Sequence, residues 1–127
     1  MIKKIGFAGV FVSDGDKAYD FYVNKLGFEV KTDAPMGEGG RWLELVPPGS
    51  ETRLAVAKMA PGQKEDAPVG GFTRISFVTD DVQATYEELS AKGVNFIQKP
   101  TQMFWGGIEA QFADPDGNIF LLDQGED

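Results

Sequence analysis

The chain contains no cysteine and no histidine. Without cysteine there is no disulfide framework, no thiolate metal site and no cysteine nucleophile. Without histidine the commonest metal ligand, the usual general base and any Ser-His-Asp triad are all missing. No apolar run approaches the length needed to span a bilayer, and Met1-Ile2-Lys3-Lys4 leads straight into a strand pattern without signal-peptide character. The expected location is the cytoplasm, with no membrane partner. Basic residues are also scarce, since 12 Lys and Arg face 20 Asp and Glu, for a net charge of −8 and a pI near 4.5. Such a surface repels phosphate backbones, so no nucleic-acid partner is expected. It would attract a cationic small molecule, although acidity commonly serves solubility alone.

A length of 127 residues fits one domain, 1–127, able to bury roughly two thirds of its unfolded surface. The apolar share of 42% and the charged share of 25% are ordinary for a folded chain. Phe7 to Ser13 reads as a strand ending in the turn and N-cap cluster Ser13-Asp14-Gly15-Asp16. Ala18, Phe21, Tyr22 and Leu26 then recur at helical spacing, and Gly27 stops that helix. Strands follow over Phe28 to Thr32, Arg41 to Val46 and Arg53 to Lys58, with a Gly-rich connection from Ala34 to Gly40. Residues 59–71 have a linker's Pro, Gly and charge content. The pattern then recurs: Phe72, Ile75 and Phe77 in a strand, a helix with Val82, Thr85, Tyr86 and Leu89 stopped by Gly93, and a strand over Val94 to Gln98. A loop is expected from Pro100 to Trp105, before strands over Ile108 to Phe112 and Ile119 to Asp123.

The two halves, 1–58 and 72–127, say the same thing twice. Asp14 and Asp81, Tyr19 and Tyr86, and Pro48 and Pro115 are each 67 positions apart, while Gly27 and Gly93 are 66 apart. A unit of this length cannot bury a sheet face alone, so two copies must cooperate. Several motifs carry no chemistry. Asp114-Pro115-Asp116-Gly117-Asn118 resembles the start of a calcium loop but lacks the later ligands, and it lies between strand patterns, as a hairpin turn does. Gly37-Glu38-Gly39-Gly40 has no strand and helix around it to make a phosphate cradle. Tyr22 and Tyr86 read as helix-to-sheet packing with hydroxyls at the surface.

Val12-Ser13-Asp14, Phe21-Tyr22, Leu26-Gly27-Phe28, Val78-Thr79-Asp80-Asp81-Val82, Trp105-Gly106 and Asp114-Pro115-Asp116-Gly117-Asn118 together resemble the vicinal oxygen chelate superfamily. Its members are glyoxalases, bleomycin-resistance proteins and extradiol dioxygenases. The resemblance covers almost the whole chain. It implies an α+β fold in which two βαβββ modules form an open, cup-shaped mixed sheet with helices outside and a small-molecule ligand in the cup. It also implies a homodimer.

In metal-dependent members the ligands come from the opening and closing strands of each module. Carried over by position, they fall on Phe7, seven residues before Asp14, on Arg74, seven before Asp81, on Leu121 after the Asp-Pro-Asp-Gly-Asn turn, and near Arg53 to Ala55, most simply Ala55. None of these can hold a divalent cation. No metal and no cofactor are therefore expected, which argues against metal-dependent activity. By alternation, Phe7, Gly9, Phe11, Ala55, Ala57, Arg74, Ser76, Val78, Ile119, Leu121 and Asp123 should face the cup. Ala8, Val10, Val12, Ile75, Phe77, Phe120 and Leu122 should face the helices. The candidate ligand-binding residues are Phe7, Phe11, Glu44, Ala55, Arg74, Ser76, Trp105, Glu109, Gln111 and Leu121. Few polar groups on an apolar surface is the usual character of a small-molecule site, although the same residues could simply fill a collapsed cup. Arg74 must be paired if buried, either with Glu44 or Glu109 or with an anionic ligand group. Three functions remain open. The first is a metal-free protein that binds a hydrophobic or aromatic molecule, and the second a metal-independent enzyme using Glu44 or Glu109 as acid and base. The third is a metal-dependent glyoxalase or dioxygenase.

Overall fold

The structure is a computed structural model that describes residues 1–62 and 68–124; 63–67, inside the expected linker, and 125–127 lie outside the described residues. The chain divides into two compact units, Met1–Gly70 and Gly71–Asp127. Each runs strand, helix, strand, strand, strand, so the expected α+β class and paired βαβββ modules are both present.

The first unit contains β1 (Phe7–Phe11), α1 (Gly15–Tyr19) continuing as a π-helical turn (Asp20–Lys25), β2 (Glu29–Pro35), β3 (Arg41–Val46) and β4 (Arg53–Lys58). The sheet order is β1-β4-β3-β2, with β1 parallel to β4 and the other pairs antiparallel. Asp14 begins the helix because its carboxylate accepts from the N–H groups of Asp16 and Lys17, both at 3.0 Å. In the π turn the Leu26 N–H reaches back to the carbonyl of Phe21. The wider turn brings Phe21 and Tyr22 side by side into the core, their rings edge to face at 4.9 Å. Tyr22 is fully enclosed, so its hydroxyl does not reach the surface as expected. Packing beneath the sheet comes from Val10, Val12, Leu43, Leu45, Leu54 and Val56, all buried. Arg41 clips the edge of this layer, donating to Asp33 and Asp16 at 2.9 Å and lying over the Tyr19 ring.

The second unit contains β5 (Gly71–Thr79), α2 (Val82–Ala91), β6 (Asn95–Gln102), β7 (Ile108–Ala113) and β8 (Asn118–Gln124), in the order β5-β8-β7-β6. Asp81 caps α2 by accepting from the Ala84 N–H at 3.0 Å. Phe77, Phe96, Phe112 and Phe120 form a ring cluster under the sheet, with Tyr86 against Phe96. The Asp114 to Asn118 segment is a hairpin turn: the Asp114 carboxylate accepts from the N–H groups of Asp116 and Asn118 and from the Asn118 amide.

Two strands run well past their expected ends, and a third is broken by a bulge. β2 runs on to Pro35, and β6 runs through Pro100 to Gln102 where a loop was expected. Both are edge strands, and Pro100 sits at a register shift between Gln98 and Thr101, where a missing N–H breaks no ladder bond. β5 carries a bulge between Phe72 and Ser76, and inside it Arg74 takes a left-handed φ of 63°.

Candidate functional site

Each sheet has one face packed under its helix and one face turned away from it. On the first sheet the register sets Gly9, Ala55, Glu44 and Thr32 in one cross-strand row, and Phe11, Ala57, Trp42 and Ala34 in the next. Gly9, Ala55 and Ala57 are small, and the Phe7 ring, from the edge strand β1, lies beside Gly9. Phe7, half exposed, meets Trp42 edge to face with ring centroids 5.3 Å apart. Glu44 lies between polar neighbours, accepting from Trp42 Nε1 at 2.7 Å and from Arg53 Nη1 at 3.0 Å. The indole N–H, and after it the guanidinium, hold the Glu44 carboxyl below the usual carboxylate range. Glu44 is thus ionised at neutral pH and does not act there as a general acid.

On the second sheet the equivalent rows are Ser76, Leu121, Gln111 and Gln98, then Val78, Asp123, Glu109 and Thr101. The Ser76 hydroxyl donates to Asp123 Oδ2. Gln111 donates to Gln98 Oε1 at 3.1 Å, and Gln98 donates to the Glu109 carbonyl at 3.3 Å. Trp105 lies in the β6–β7 connection, 53% exposed, with its ring edge on to that of the exposed Phe104.

Alternation therefore sorts the strands as expected where they are regular. Val10, Val12, Phe120 and Leu122 are buried on the helix side, while Phe7, Ser76 and Val78 are exposed on the other. Phe11 and Leu121 are half-buried, and Ala55 is buried in the middle of its sheet. The first unit brings Phe7, Glu44 and Ala55 to one face, and the second brings Ser76, Glu109, Gln111 and Leu121 to one face. Arg74 differs from expectation. It is exposed in the β5 bulge, outside the ladder register, and no ion pair among the described residues involves it. Glu44 is instead engaged by Arg53. A left-handed non-glycine residue costs about 1–3 kcal/mol, and such strain collects at ligand-contacting positions. Two residues missing from the sequence-based site matter here, Trp42 and Arg53. Trp42 lies two positions from Glu44 on the same strand and so shares its face, a period that could have found it.

The metal positions implied by the resemblance hold Phe7, Ala55, Arg74 and Leu121. These offer two hydrocarbons, a methyl group and a cation. Among the described residues no three His, Cys, Asp or Glu side chains gather as a metal site would require. The donor set does not fit a divalent metal. No helix among the described residues is long and apolar enough to cross a membrane.

Comparison with known proteins bears on this arrangement. The family model for the Glyoxalase/Bleomycin resistance protein/Dioxygenase superfamily matches residues 4–122. The chain is 42% identical over 122 residues to the uncharacterized protein YetH of Bacillus subtilis, covering 96% of this chain and 98% of the relative. A crystal structure of a glyoxalase/bleomycin resistance protein/dioxygenase superfamily member from Sphaerobacter thermophilus superposes with a TM-score of 0.85 at 42% identity, covering 98% of each chain. TnmS3, an antibiotic binding protein from Streptomyces sp. CB03234, superposes with a TM-score of 0.83 at 37% identity, again over 98% of each chain.

Proposed function

The chain belongs to the Glyoxalase/Bleomycin resistance protein/Dioxygenase superfamily, and from that premise we propose that it binds a small hydrophobic or aromatic molecule on an open sheet face without using a metal. The observation that carries this reading is the replacement of the donor positions by Phe7, Ala55, Arg74 and Leu121. That exchange removes the means of holding an ion and leaves apolar surface in its place. Phe7 and Trp42 present aromatic edges over a floor of small residues, a surface on which a flat ring can stack. Likeness to an antibiotic binding protein supports retention of a ligand rather than turnover. Glu44 is held ionised, so it cannot supply the acid of a metal-independent reaction at neutral pH. In this reading the protein works as a cytoplasmic homodimer, which sedimentation would measure.

The test is equilibrium binding of metal-free bleomycin and of naphthalene derivatives that are neutral, acidic or basic. Trp105→Phe leaves Trp42 as the fluorescent reporter. Saturable quenching by at least one probe, weakened in Phe7→Ala, is the expected result. Arg74→Ala should weaken binding of the acidic probe more than it lowers thermal stability. Absence of binding across the set would refute the reading, as would stoichiometric nickel, zinc, iron or manganese in the purified protein.

A further inference from the structure

Glu109 of β7 and Asp123 of β8 are register partners on the open face of the second sheet. Opposed residues of an antiparallel pair hold their Cβ atoms about 4.5–5.5 Å apart, and like charges so placed repel. A lysine or arginine normally resolves such a conflict. None of the ion pairs among the described residues includes either carboxylate.

Glu109 is the more telling of the two. It is only 8% exposed, and its side chain makes no hydrogen bond among the described residues. Ala110 and Phe112, which flank its face change along β7, are buried on the helix side, so Glu109 projects to the opposite face with Asp123. No fully enclosed side-chain oxygen among the described residues lacks a partner, so the Glu109 carboxylate still touches accessible surface. A carboxylate this buried, with no ion-pair partner among the described residues and its oxygens still reached by solvent, calls for a cation from outside.

The surrounding groups define which cation. Asp123 Oδ2 accepts a hydrogen bond from the Ser76 hydroxyl, leaving Oδ1 as an acceptor. The Gln111 amide nitrogen is engaged by Gln98, leaving its carbonyl oxygen as another. Acceptors outnumber the donors still free, the inverse of what an anion needs. A divalent metal would need more oxygen ligands than this group supplies, and among the described residues no third acidic side chain joins it. An ammonium group has three donors and one positive charge, which fits two carboxylates and an amide oxygen.

We propose that Glu109 and Asp123, with the Gln111 carbonyl, form a subsite for the protonated amine of a bound aromatic ligand. The assignment rests on the binding function proposed above and narrows its ligand to an amine-bearing class.

The test compares two matched probes, 1-naphthylmethylamine and 1-naphthylmethanol, by calorimetric titration of the full chain and of its Glu109→Gln and Asp123→Asn variants. The native protein should bind the amine about tenfold to a hundredfold more tightly than the alcohol, as expected for a charge-assisted contact. Glu109→Gln should bring the amine's affinity down toward that of the alcohol, and a cooperative melt at or above the native Tm shows that the variant is folded. If the alcohol binds and the amine binds no better, the subsite is refuted while the binding function stands. If neither probe binds, both are overturned. Tight binding of calcium or magnesium alone, lost in Glu109→Gln, would make this a metal site and would also refute the amine assignment.

Discussion

Replacing Trp42 by Phe isolates one interaction on the first sheet. The phenyl ring retains the edge contact with Phe7 but has no N–H to donate to Glu44. A hydrogen bond to a charged group contributes about 1.5–3 kcal/mol. Glu44 keeps its bond from Arg53 and is not orphaned, so the loss belongs at or just below the bottom of that range, about 1–1.5 kcal/mol. The Arg53 side chain is 43% exposed, and solvent screens its charge too well for it to absorb the difference. In a chain of this size such a loss lowers Tm by about 3–5 °C. The pH dependence gives the sharper check. The Glu44 carboxyl is held below its ordinary value of 4.5, first by the Trp42 N–H and then by Arg53. A depressed folded-state value means stability that is present above the unfolded value and lost as pH falls through the folded one. The penalty of Trp42→Phe should therefore be full at neutral pH and shrink once the pH falls below 4.5. Urea unfolding followed by circular dichroism at both pH values measures it. An equal loss at the two would mean that ring volume, not the hydrogen bond, matters, and no loss at neutral pH would refute the argument outright.

Asp14→Ala and Asp81→Ala each remove a helix cap and should each cost about 1 kcal/mol, read by urea unfolding at neutral pH. Gly40→Ala should cost about 3 kcal/mol or more, because its Cβ would lie 1.9 Å from the Met36 carbonyl and 3.0 Å from the Ala60 N–H, both backbone. Gly6→Ala, whose Cβ meets nothing within 4 Å, is the neutral control in the same melts. Glu44→Gln should lose about 1–2 kcal/mol at neutral pH and low salt, whereas Glu109→Gln should be neutral or stabilising because it relieves a like-charge opposition.

Features written in adjacent residues were legible. Asp14 and Asp81 cap their helices, Gly27 and Gly93 end them with φ of 79° and 88°, and Asp114 to Asn118 closes a hairpin. These signals act within a few bonds of the residue that carries them. Alternation along β1 also placed Phe7 and Val10 on opposite faces, since that strand has no break. It lost authority along β5. There the ladder steps from Phe72 to Ser76 while its partner steps only from Ile119 to Leu121, so extra residues are looped out around Arg74. A left-handed turn is normally announced by glycine or asparagine, and an arginine there leaves no trace in composition. The π turn was equally silent, because Ala18, Phe21, Tyr22 and Leu26 also fit the spacing of an ordinary helix. Glu44 was identified as a candidate, but its partners depend on a fold in register: Arg53 arrives from the adjacent strand and Trp42 from two residues away.

The duplication gives the asymmetry of the open faces a physical explanation. Trp42 faces Ala57 across β3 and β4, and at the matching place in the second unit Glu109 faces Asp123 across β7 and β8. Glu44 faces Ala55, and Gln111 faces Leu121. In the first unit, then, one carboxylate is flanked by an indole N–H and a guanidinium, and its charge is met within the module. In the second, the carboxylates have moved to the tryptophan and alanine positions, and the arginine's place at the foot of the closing strand is taken by Ile119, which has no charge to offer. Folding alone favours the first solution, because two opposed carboxylates with no cation between them repel. A chain selected only for stability would more readily carry a lysine or an amide at 109. The acid at 109 in the second module has no cationic partner among the ion pairs of the described residues, and a positively charged ligand group would meet it.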